Sequence, residues 1–425
     1  MPPKRVENTG MHEDKKQLLQ WVEEDRDRLI AFLSGFIRAK SPNPPGDTRE
    51  TAAYVSRFLD DFGLPYKIVA PREEMPNILG SFEGGSQGRR LVLNGHMDVF
   101  PVGDGAGWTY DPWGGEVAEG RIYGRGACDM KCGTAASIFT FAYLNRIQKK
   151  LRGSLTLTAV ADEESFGPWG SQYLVEHYPE AIGDCCINGE PSSPYTLRFG
   201  EKGLLWLRLR VHTMGAHGAY THLSRNAIKI AAHLISELET LSSIPWHLPE
   251  NVRSALEEGH DAAEMALGLG GADVMKKVTV NIGSIHGGLK INMIPRECEA
   301  EVDIRLPPGL DRSTVMPKIE EIVSRYAEAS VHEENYSAPN WSDPQGEMAA
   351  YIRENVKTLR GLDPRPIVSL GGSDLRLWRS RGVPAYYYGP TARGMGTVDE
   401  YVEVEEFLHV VRTHLLSAYD FLTRG

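Results

Sequence analysis

Two residues that could do chemistry together are His96 and Asp98, which follow the apolar run Arg90 to Asn94. Because they lie two apart on an extended chain, both side chains point to one side. The imidazole can then bind a metal ion while the carboxylate holds its other ring nitrogen. A lone His-x-Asp pair is weak evidence, since a histidine at a strand end is often simply hydrogen-bonded and partly buried. Both interpretations stay open on these two residues alone.

Acidic residues also occur at two further points where a predicted element or loop ends. Asp129 follows a glycine-rich loop, and Asp162-Glu163-Glu164 follows the apolar run Ser154 to Ala161. An acidic triplet is more often a solvated loop. Here the preceding strand delivers it to the sheet edge at which sites form in open α/β folds. Clustered carboxylates repel unless a cation or a shared proton relieves the repulsion, so together these segments favour a metal centre.

The elements that must position these residues follow a rhythm of strand, acidic loop and helix. Apolar spacing predicts helices over about 15–40, 48–62 and 133–147, and strands over about 66–70, 77–82, 90–94 and 154–161. This alternation predicts a doubly wound α/β core.

From Gly200 the pattern changes to that of a smaller α+β domain. Strands are predicted over 204–212, 278–285 and 297–306, with helices over 225–241 and 313–329, a β-α-β-β-α order. The segment 243–277 is predicted to be a surface excursion without a recognisable role. After about Trp341 a helix (345–359), a strand (383–388) and a closing helix (404–422) return to the first domain. The predicted domains are 1–199 plus 340–425, and 200–339.

Composition excludes several partners. The chain has 425 residues and a net charge of -11, with no block of Lys and Arg that could neutralise a row of phosphates, so nucleic acid is not expected. Met1 to Gln20 lacks the apolar stretch of a secretory signal or membrane anchor, and no later run is long enough to span a membrane. Five cysteines in so long a chain are typical of reduced thiols. We expect a soluble cytoplasmic protein.

Four motifs resemble those of the M20 metallopeptidase-like hydrolases, which include aminoacylases, carboxypeptidases, acetylornithine deacetylase and succinyl-diaminopimelate desuccinylase. They are Gly95 to Val99, Gly124 to Lys131, Asp162 to Glu164 and Gly189 to Pro191, in the family's order. The resemblance spans nearly the whole chain. It implies a zinc-peptidase-like catalytic domain with an inserted, ferredoxin-like lid and dimerisation domain, and hence a homodimer or larger homo-oligomer.

The resemblance also implies roles for the acidic residues. Asp129 would bridge two ions, and the metal ligands would be His96, Asp129, Glu190, Glu164 and a histidine near the C-terminus. Glu163 would be the general base, which takes a proton from the attacking water and returns it to the leaving nitrogen. Asp98 would be the partner of His96.

Further residues are implied to contact the substrate. His217, in Met214 to His217, resembles a histidine that stabilises developing negative charge in a neighbouring subunit's site, although it could be a surface histidine in a glycine turn. The other candidates are Asn292, Arg305, Gly372, Ser373 and Arg376. Arg305 could instead be a charge at a strand edge.

One position departs from the family pattern. The segment Arg393 to Tyr401 resembles the closing motif that carries the last metal ligand, but Gly396 stands in place of the histidine. Glycine has no side chain to ligate a metal. We therefore expect one tightly required divalent ion per chain, with Mn, Zn or Co suited to one imidazole and two carboxylates.

The expected activity is hydrolysis of a C–N bond by water activated at the metal. The missing ligand, together with whole-chain resemblance to a divergent member of the family, favours release of ammonia from a nitroaromatic amine, 5-nitroanthranilate, to give 5-nitrosalicylate. The alternative is hydrolysis of the amide bond of N-acyl amino acids or dipeptides. A third possibility, of another class, is a non-catalytic binding protein that retains the fold. In the first two cases the partner is a small molecule.

Overall fold

The computed structural model describes residues 12–424 and divides them into two compact units. The first unit comprises the described residues through Arg198, then Gln345–Pro366, and those from Ser373 onward; the second comprises Phe199–Pro344 and Ile367–Gly372. The sequence predicts no signal over residues 1–20. Residues 1–11 of that stretch lie outside the described residues. Among residues 12–424 no helix is long and apolar enough to cross a membrane.

The first unit begins with the elements that lead up to the predicted acidic segments. Its helices are α1 (Glu13–Glu24), α2 (Arg26–Arg38), α3 (Arg49–Asp61), α4 (Lys131–Arg146) and α5 (Ser171–His177). Its strands are β1 (Tyr66–Val69), β2 (Asn77–Glu83), β3 (Ser86–His96), β4 (Glu116–Ala118), β5 (Arg121–Tyr123), β6 (Arg152–Val160) and β7 (Cys185–Asn188), with β8 (Thr196–Glu201) crossing into the second unit.

The second unit carries a four-stranded antiparallel sheet and two flanking helices. Its strands are β9 (Gly203–His212), β10 (Ala216–His217), β11 (Thr279–Gly287), β12 (Met293–Ile294), β13 (Glu297–Leu306), β14 (Ala329–Ser337) and β15 (Asn340–Trp341). Its helices are α6 (Ala227–Leu238), α7 (Glu250–Glu258), α8 (His260–Leu267), α9 (Gly271–Val274) and α10 (Arg312–Ser324). The sheet order β11-β13-β9-β14 with α6 and α10 as connections is the ferredoxin-like βαββαβ arrangement.

The chain then completes the first unit with its closing elements. These are α11 (Glu347–Arg360), β16 (Arg365–Ser369), which ends in the second unit, α12 (Arg376–Arg379), β17 (Ala385–Tyr387), β18 (Tyr401–Glu403) and α13 (Val404–Arg424). In the central sheet of this unit the strands run in the order β1-β2-β6-β3-β7-β17. Strand β3 is parallel to both β6 and β7, so their C-terminal ends meet at one edge. The predicted α/β class is therefore confirmed.

Two predicted elements differ from the observed ones. The helix expected over 15–40 is two helices, because the chain turns at Asp25, whose carboxylate accepts a hydrogen bond from the Tyr143 hydroxyl (3.1 Å). The β-α-β-β-α order lacked a strand, β14. That strand pairs with β9 on one side only and is rich in polar, half-exposed residues, so its sequence has little apolar alternation. The 243–277 excursion forms the three short helices α7, α8 and α9.

A buried ionic contact joins the first helix of the unit to its last. The Lys15 ammonium in α1 lies 2.6 Å from Asp420 Oδ2 in α13 and 3.1 Å from Asn355 Oδ1 in α11, and all three residues are buried. We expect Lys15→Met to lower the free energy of unfolding by about 3 kcal/mol, because it removes the buried cation from the Asp420 carboxylate and leaves that group only Asn355 and the half-exposed Arg424 (3.0 Å). Urea denaturation measures the change. Lys16→Met, which removes only an exposed pair with Glu13, is the matched control and should change stability by less than about 1 kcal/mol.

Candidate metal centre

His96 lies at the C-terminal end of β3, where the strand is fully buried. Its Nδ1 hydrogen-bonds to the Asp98 backbone carbonyl at 2.8 Å. Because Nδ1 donates to that carbonyl, the neutral ring carries its lone pair on Nε2. Nε2 is 3.4 Å from Asp129 Oδ1 and 3.5 Å from Glu190 Oε1. The ring is thus oriented as a metal-binding histidine is, with its free nitrogen toward two carboxylates.

Asp129 and Glu190 reach this point from different elements. Asp129 lies in the turn before α4, and Glu190 lies two residues after β7. One ligand atom each from His96, Asp129 and Glu190 falls within 4.8 Å of the others, the one such group of His, Cys, Asp and Glu found among residues 12–424. One imidazole with two carboxylates suits a borderline-to-hard divalent ion.

A contact between two glycines sets how closely these ligands approach. Gly133, in the first turn of α4, packs directly on Gly189, next to Glu190; a Cβ built on either glycine would overlap the backbone of the other. The small residues therefore allow the segment with Asp129 and the segment with Glu190 to lie side by side.

Glu163 and Glu164 enter from the turn that follows β6. Glu163 Oε2 is 3.7 Å from His96 Nε2, and its side chain is buried. Glu164 Oε1 is shielded from solvent and has no hydrogen-bond partner among the described residues. A buried carboxylate oxygen without a donor is costly unless a cation approaches it. The donor set therefore fits a divalent metal.

The pKa values of His96, Glu163 and Glu190 are all raised, as expected where negative charge is in excess. Burial opposes the protonated imidazole of His96, yet hydrogen bonds to Asp129 and Glu190 hold its pKa well above the ordinary value. Burial and then the Asp129 carboxylate raise the pKa of Glu190 to about 7, although His96 opposes the shift. Burial likewise raises the pKa of Glu163 well above its usual range, with His96 again opposing. A bound cation would relieve these same interactions.

Asp98 contacts His96 in a different way from the one predicted. Its backbone carbonyl, not its carboxylate, is the close partner of His96 Nδ1, since the nearest carboxylate oxygen is 3.7 Å away. The carboxylate instead accepts the backbone N–H groups of Glu163 (3.3 Å) and Glu164 (3.1 Å). Asp98 therefore fixes the turn that carries the candidate base as well as the histidine.

A buried ion pair holds the segment with Asp129. Arg125 Nη1 is 2.5 Å from Glu400 Oε2, and the side chains are 3% and 1% exposed. The other oxygen, Glu400 Oε1, accepts the backbone N–H groups of Cys128 (3.0 Å) and Asp129 (3.2 Å). Glu400 thus sets the position of the Asp129 backbone.

Gly396 lies in a loop between β17 and β18 that the same arginine holds. Arg125 Nη2 donates to the Thr397 carbonyl at 3.0 Å. Gly396 has φ +69° and open space where a Cβ would stand. The two neighbours that could replace the missing ligand have other contacts: Thr397 Oγ1 donates to the Gly394 carbonyl, and Asp399 Oδ1 accepts the N–H groups of Thr109 and Tyr110.

Two of the substrate candidates lie in the first unit. Ser373 is buried, and its backbone carbonyl accepts a hydrogen bond from Arg376 Nη1 at 2.8 Å. The Arg376 guanidinium lies over the Phe166 ring at 4.7 Å and is 3.7 Å from Asp374 Oδ1. Its charge acts on Glu163, whose pKa it helps to lower against the effect of burial. Arg376 therefore places a positive charge near the candidate base.

The remaining candidates belong to the second unit. Strands β10 and β12 pair, which places Asn292 beside His217, and Gly218 N donates to the Asn292 carbonyl at 2.7 Å. His217 is exposed, and its Nδ1 accepts the Ala219 N–H, which leaves the ring proton on Nε2. Arg305 is paired with Asp303 on its own strand (2.8 Å), as a strand-edge charge would be. Gly372 is the last residue of this unit.

Sequence patterns missed a chain of buried hydrogen bonds behind the site. The chain begins at the Asp374 carboxylate, passes through the side chains of Ser171, Asn94 and Asn188, and ends at the backbone N–H of the proposed ligand Glu190. A second missed residue is Asn43, whose amide donates to Asp98 Oδ2 at 2.8 Å. Asn94 stands two residues before His96 on β3, so period-two spacing was one available signal. Asn43 carries no such signal.

A sequence profile of peptidase family M20/M25/M40 matches residues 92–419. Among curated proteins, the chain is 29% identical over 404 residues to a succinyl-diaminopimelate desuccinylase of Cereibacter sphaeroides, which covers 92% of this chain and 98% of the relative. The resemblance to the M20 family predicted from the motifs is thus confirmed. The narrower resemblance to a nitroaromatic aminohydrolase has no support in these comparisons.

Solved structures share the fold at lower identity. The chain superposes on an M20 family metallo-carboxypeptidase from Sulfolobus solfataricus with a TM-score of 0.79 and 20% identity, over 93% of this chain and 99% of the other. It also resembles a dinuclear metal-binding M20 peptidase from Bacillus subtilis, with a TM-score of 0.66 and 16% identity, over 94% and 99% of the chains. At these identities the likeness concerns the fold, an α/β domain with an inserted one.

The Arg125–Glu400 pair predicts an effect on metal affinity. Glu400→Gln keeps the shape of the side chain but removes the charge that holds Arg125 and weakens the acceptor for the Asp129 N–H. We expect the affinity for Mn²⁺ or Zn²⁺ to fall by about 10- to 100-fold, as when groups that orient metal ligands are removed. Competition with a chromophoric chelator measures it.

The matched control is Glu403→Gln. Glu403 pairs with Arg121 at 3.0 Å, but both side chains are about one-third exposed, so metal affinity should not change. Equal affinities for the Glu400→Gln variant and the unmodified protein would show that this pair does not orient Asp129.

Proposed function

The chain belongs to peptidase family M20/M25/M40, and on that premise we propose that it hydrolyses the amide bond of a small N-acyl amino acid or short peptide. It is a hydrolase of carbon–nitrogen bonds. The observation that carries the proposal is the convergence of His96, Asp129 and Glu190 within 4.8 Å, with the buried Glu163 carboxylate 3.7 Å from the same imidazole. A metal-ligand set beside a candidate base is the arrangement that hydrolysis of an amide requires.

The relatives support an amide as the substrate. A desuccinylase and a carboxypeptidase both cleave amide bonds by their names, and the former matches 98% of its own length. The alternative substrate, 5-nitroanthranilate, rests on Gly396 and on a whole-chain likeness that the comparisons do not support. Amide hydrolysis therefore takes precedence over the nitroaromatic interpretation that the sequence alone favoured.

His96, Asp129 and Glu190 would hold the divalent ion. When bound, the ion supplies Lewis-acid chemistry, which lowers the pKa of water and polarises the substrate carbonyl. Other residues of the chain hold these three ligands in position. The Asp98 carbonyl sets the tautomer of His96, Glu400 holds the backbone of Asp129, and Asn188 accepts the N–H of Glu190.

Glu163 is the proposed general base. Its carboxylate accepts a proton from the attacking water and donates it to the leaving nitrogen. Burial supports this role, because it raises the pKa of the Glu163 carboxyl above its usual range, and a more basic carboxylate accepts the proton of the attacking water more readily. The two backbone hydrogen bonds from the Glu163–Glu164 turn to Asp98 support a fixed position for it.

Substrate contacts are proposed on both units. In the first unit, Arg376 can pair with a substrate carboxylate through its planar guanidinium, and Ser373 lies beside it. In the second, His217 with its proton on Nε2 is a suitable donor to developing negative charge. Asn292 adjoins His217 on the β10–β12 ribbon, and Gly372 and Arg305 complete the proposed set.

The proposed assembly is a homodimer formed through the second unit. Exposed apolar side chains surround the ribbon that carries His217, namely Met214, Leu289, Ile291 and Met293. Apolar surface of this kind is typical of an interface between proteins. The exposure of His217 itself agrees with a histidine that serves a neighbouring subunit.

We propose that one ion is held tightly and that a second, if bound, exchanges readily. Asp129 and Glu164 are the two groups that would remain for a second ion, since Gly396 contributes none and Thr397 and Asp399 have other contacts. The dinuclear peptidase from Bacillus subtilis shares the fold. Manganese, zinc and cobalt all suit the ligand set.

Replacing the base is the direct test of the function. In Glu163→Gln, we expect kcat on an N-acyl amino acid such as N-succinyl-diaminopimelate to fall by about 10²- to 10⁴-fold, because the amide cannot accept the proton. Metal content, measured by mass spectrometry of the purified protein, should stay the same. The substrate panel contains N-succinyl and N-acetyl amino acids, dipeptides and 5-nitroanthranilate, each with Mn²⁺, Zn²⁺ or Co²⁺ added.

Glu176→Gln, at an exposed position in α5, is the control and should retain full turnover. Turnover of 5-nitroanthranilate in preference to every amide would refute the proposed substrate class. Unchanged turnover in the Glu163→Gln variant would refute the assignment of the base, and no turnover of any compound by the metal-loaded protein would favour the non-catalytic alternative.

Metal stoichiometry tests the role of Gly396. We expect about one equivalent of metal to survive dialysis against a chelator, and Gly396→His to raise this toward two. The open space at Gly396 accommodates a side chain, at a cost of about 1–2 kcal/mol for the left-handed backbone. Gly361→His is the matched control, since Gly361 also has φ +69° and open space but lies at the end of α11. Two tight equivalents in the unmodified protein would exclude the single-ion proposal.

A further inference from the structure

A single buried amide bridges the strand that carries His96 and the turn that carries the candidate base. Asn43 lies in the loop between α2 and α3 and is 5% exposed. Its Nδ2 donates to Asp98 Oδ2 at 2.8 Å, and lies 3.2 Å from Ser165 Oγ and 3.4 Å from Asp162 Oδ1. One side chain therefore touches the strand end and both ends of the Asp162–Ser165 turn.

The orientation of this amide follows from its neighbours. Carboxylates accept hydrogen bonds and do not donate them, so an Asn43 side chain between Asp98 and Asp162 must present its NH₂ group to both. Its two hydrogens then serve Asp98 on one side and the Ser165–Asp162 pair on the other. A neutral donor between two buried carboxylates also reduces their mutual repulsion.

The backbone of Asn43 is fixed to the same strand end. Asn43 N donates to the Val99 carbonyl at 2.9 Å, and Val99 N donates to the Ser41 carbonyl at 3.0 Å. Ser41 Oγ donates to the Met97 carbonyl at 2.6 Å. The loop thus follows the segment after His96 residue by residue, and the Asn43 side chain has little freedom to move away.

The turn that Asn43 contacts has an unfavourable backbone. Asp162 has φ +66° and Phe166 has φ +52°, both in the left-handed region that non-glycine residues seldom adopt. Such conformations persist only where surrounding contacts hold them. Two of the contacts are with Asn43 and Asp98, since Asp98 accepts the N–H groups of Glu163 and Glu164. Within the turn, Asp162 also accepts the Ser165 hydroxyl (2.7 Å) and the Trp169 N–H (3.2 Å).

We propose that Asn43 is a positioning residue for catalysis, which acts through Asp98 to hold the Glu163–Glu164 turn at the metal centre. Its contribution to turnover rests on the proposed role of Glu163 as base. Its effect on the turn does not, because that effect concerns the backbone of residues 162–166 whatever reaction they serve. Asn43 touches neither His96, Asp129 nor Glu190 in the hydrogen bonds described, so its removal acts on the turn more than on the three metal ligands.

The test is Asn43→Leu, which fills the same space without a donor, and Asn43→Asp, which keeps the shape but places a third carboxylate against Asp98 and Asp162. Asn355→Leu is the matched control. Asn355 is also buried and donates to an aspartate at nearly the same distance (2.9 Å to Asp420 Oδ2), but it lies in α11 and contacts α13. All three variants are expected to lose stability.

Two measurements separate positioning from stability. Hydrogen exchange followed by mass spectrometry should show faster exchange in the peptide that contains Glu163 and Glu164 for both Asn43 variants, and no local change there for Asn355→Leu. On metal-loaded folded enzyme, kcat should fall by about 10- to 100-fold in the Asn43 variants with KM within about twofold, a size typical of residues behind a metal site. Metal affinity should change by less than about threefold.

The outcomes distinguish this proposal from the proposed function. Unchanged exchange in the Glu163–Glu164 peptide would refute the positioning role, whether or not activity is lost. Faster exchange with unchanged kcat would also refute a contribution to catalysis. If Asn43→Leu does not fold, the isosteric Asn43→Asp gives the same two measurements. A wrong assignment of the base instead appears as full activity in Glu163→Gln, and a wrong substrate class appears as a preference for 5-nitroanthranilate. Neither result changes the outcome of the exchange experiment.

Discussion

Repulsion among buried carboxylates is the constraint on which the rest of the site depends. Asp129, Glu163 and Glu190 lie within 3.7 Å of one imidazole nitrogen, and Glu164 adds a fourth acid with a shielded oxygen. Two like charges about 4 Å apart cost about 4 kcal/mol even at an effective dielectric constant of 20. The fold can keep such a group together only if each acid is held by contacts of its own and a cation or a retained proton offsets the excess negative charge.

The surrounding structure supplies those contacts chiefly through the backbone. Asp98 and Glu400 each use a buried carboxylate to accept two backbone N–H groups, and each thereby fixes a turn that carries a ligand or the candidate base. Arg125 balances the charge of Glu400, and the Asn43 amide does part of the same for Asp98. Acids outside the ligand set are therefore structural parts of the site. By accepting main-chain hydrogen bonds from these turns, they fix the backbone from which the ligand and base side chains extend.

Local sequence was sufficient to predict the residues that lie on or just after strands. His96 and Glu163 follow apolar runs, and the parallel pairing of β3 with β6 brings their ends together as expected. The partners of these residues were not predictable, because they are distant in sequence and lack periodic spacing: Asn43 lies 55 residues from Asp98, and Arg125 lies 275 residues from Glu400. For the same reason the carbonyl of Asp98, and not its carboxylate, was missed as the partner of His96. Every residue has a backbone carbonyl, so the residue type at a position does not reveal which carbonyl will accept a hydrogen bond.

The Gly133–Gly189 contact has a consequence for the spacing of the segments that carry two of the proposed metal ligands. The helix that follows Asp129 and the strand that precedes Glu190 approach until their main chains touch, and no side chain separates them. The distance between the two backbone segments that carry Asp129 and Glu190 is therefore set by main-chain packing of a helix and a strand. The glycine pair thus sets the closest approach of the two segments. A single methyl group added to either residue would force the two backbones apart, and would move the Asp129 and Glu190 segments with them, without changing any ligand side chain.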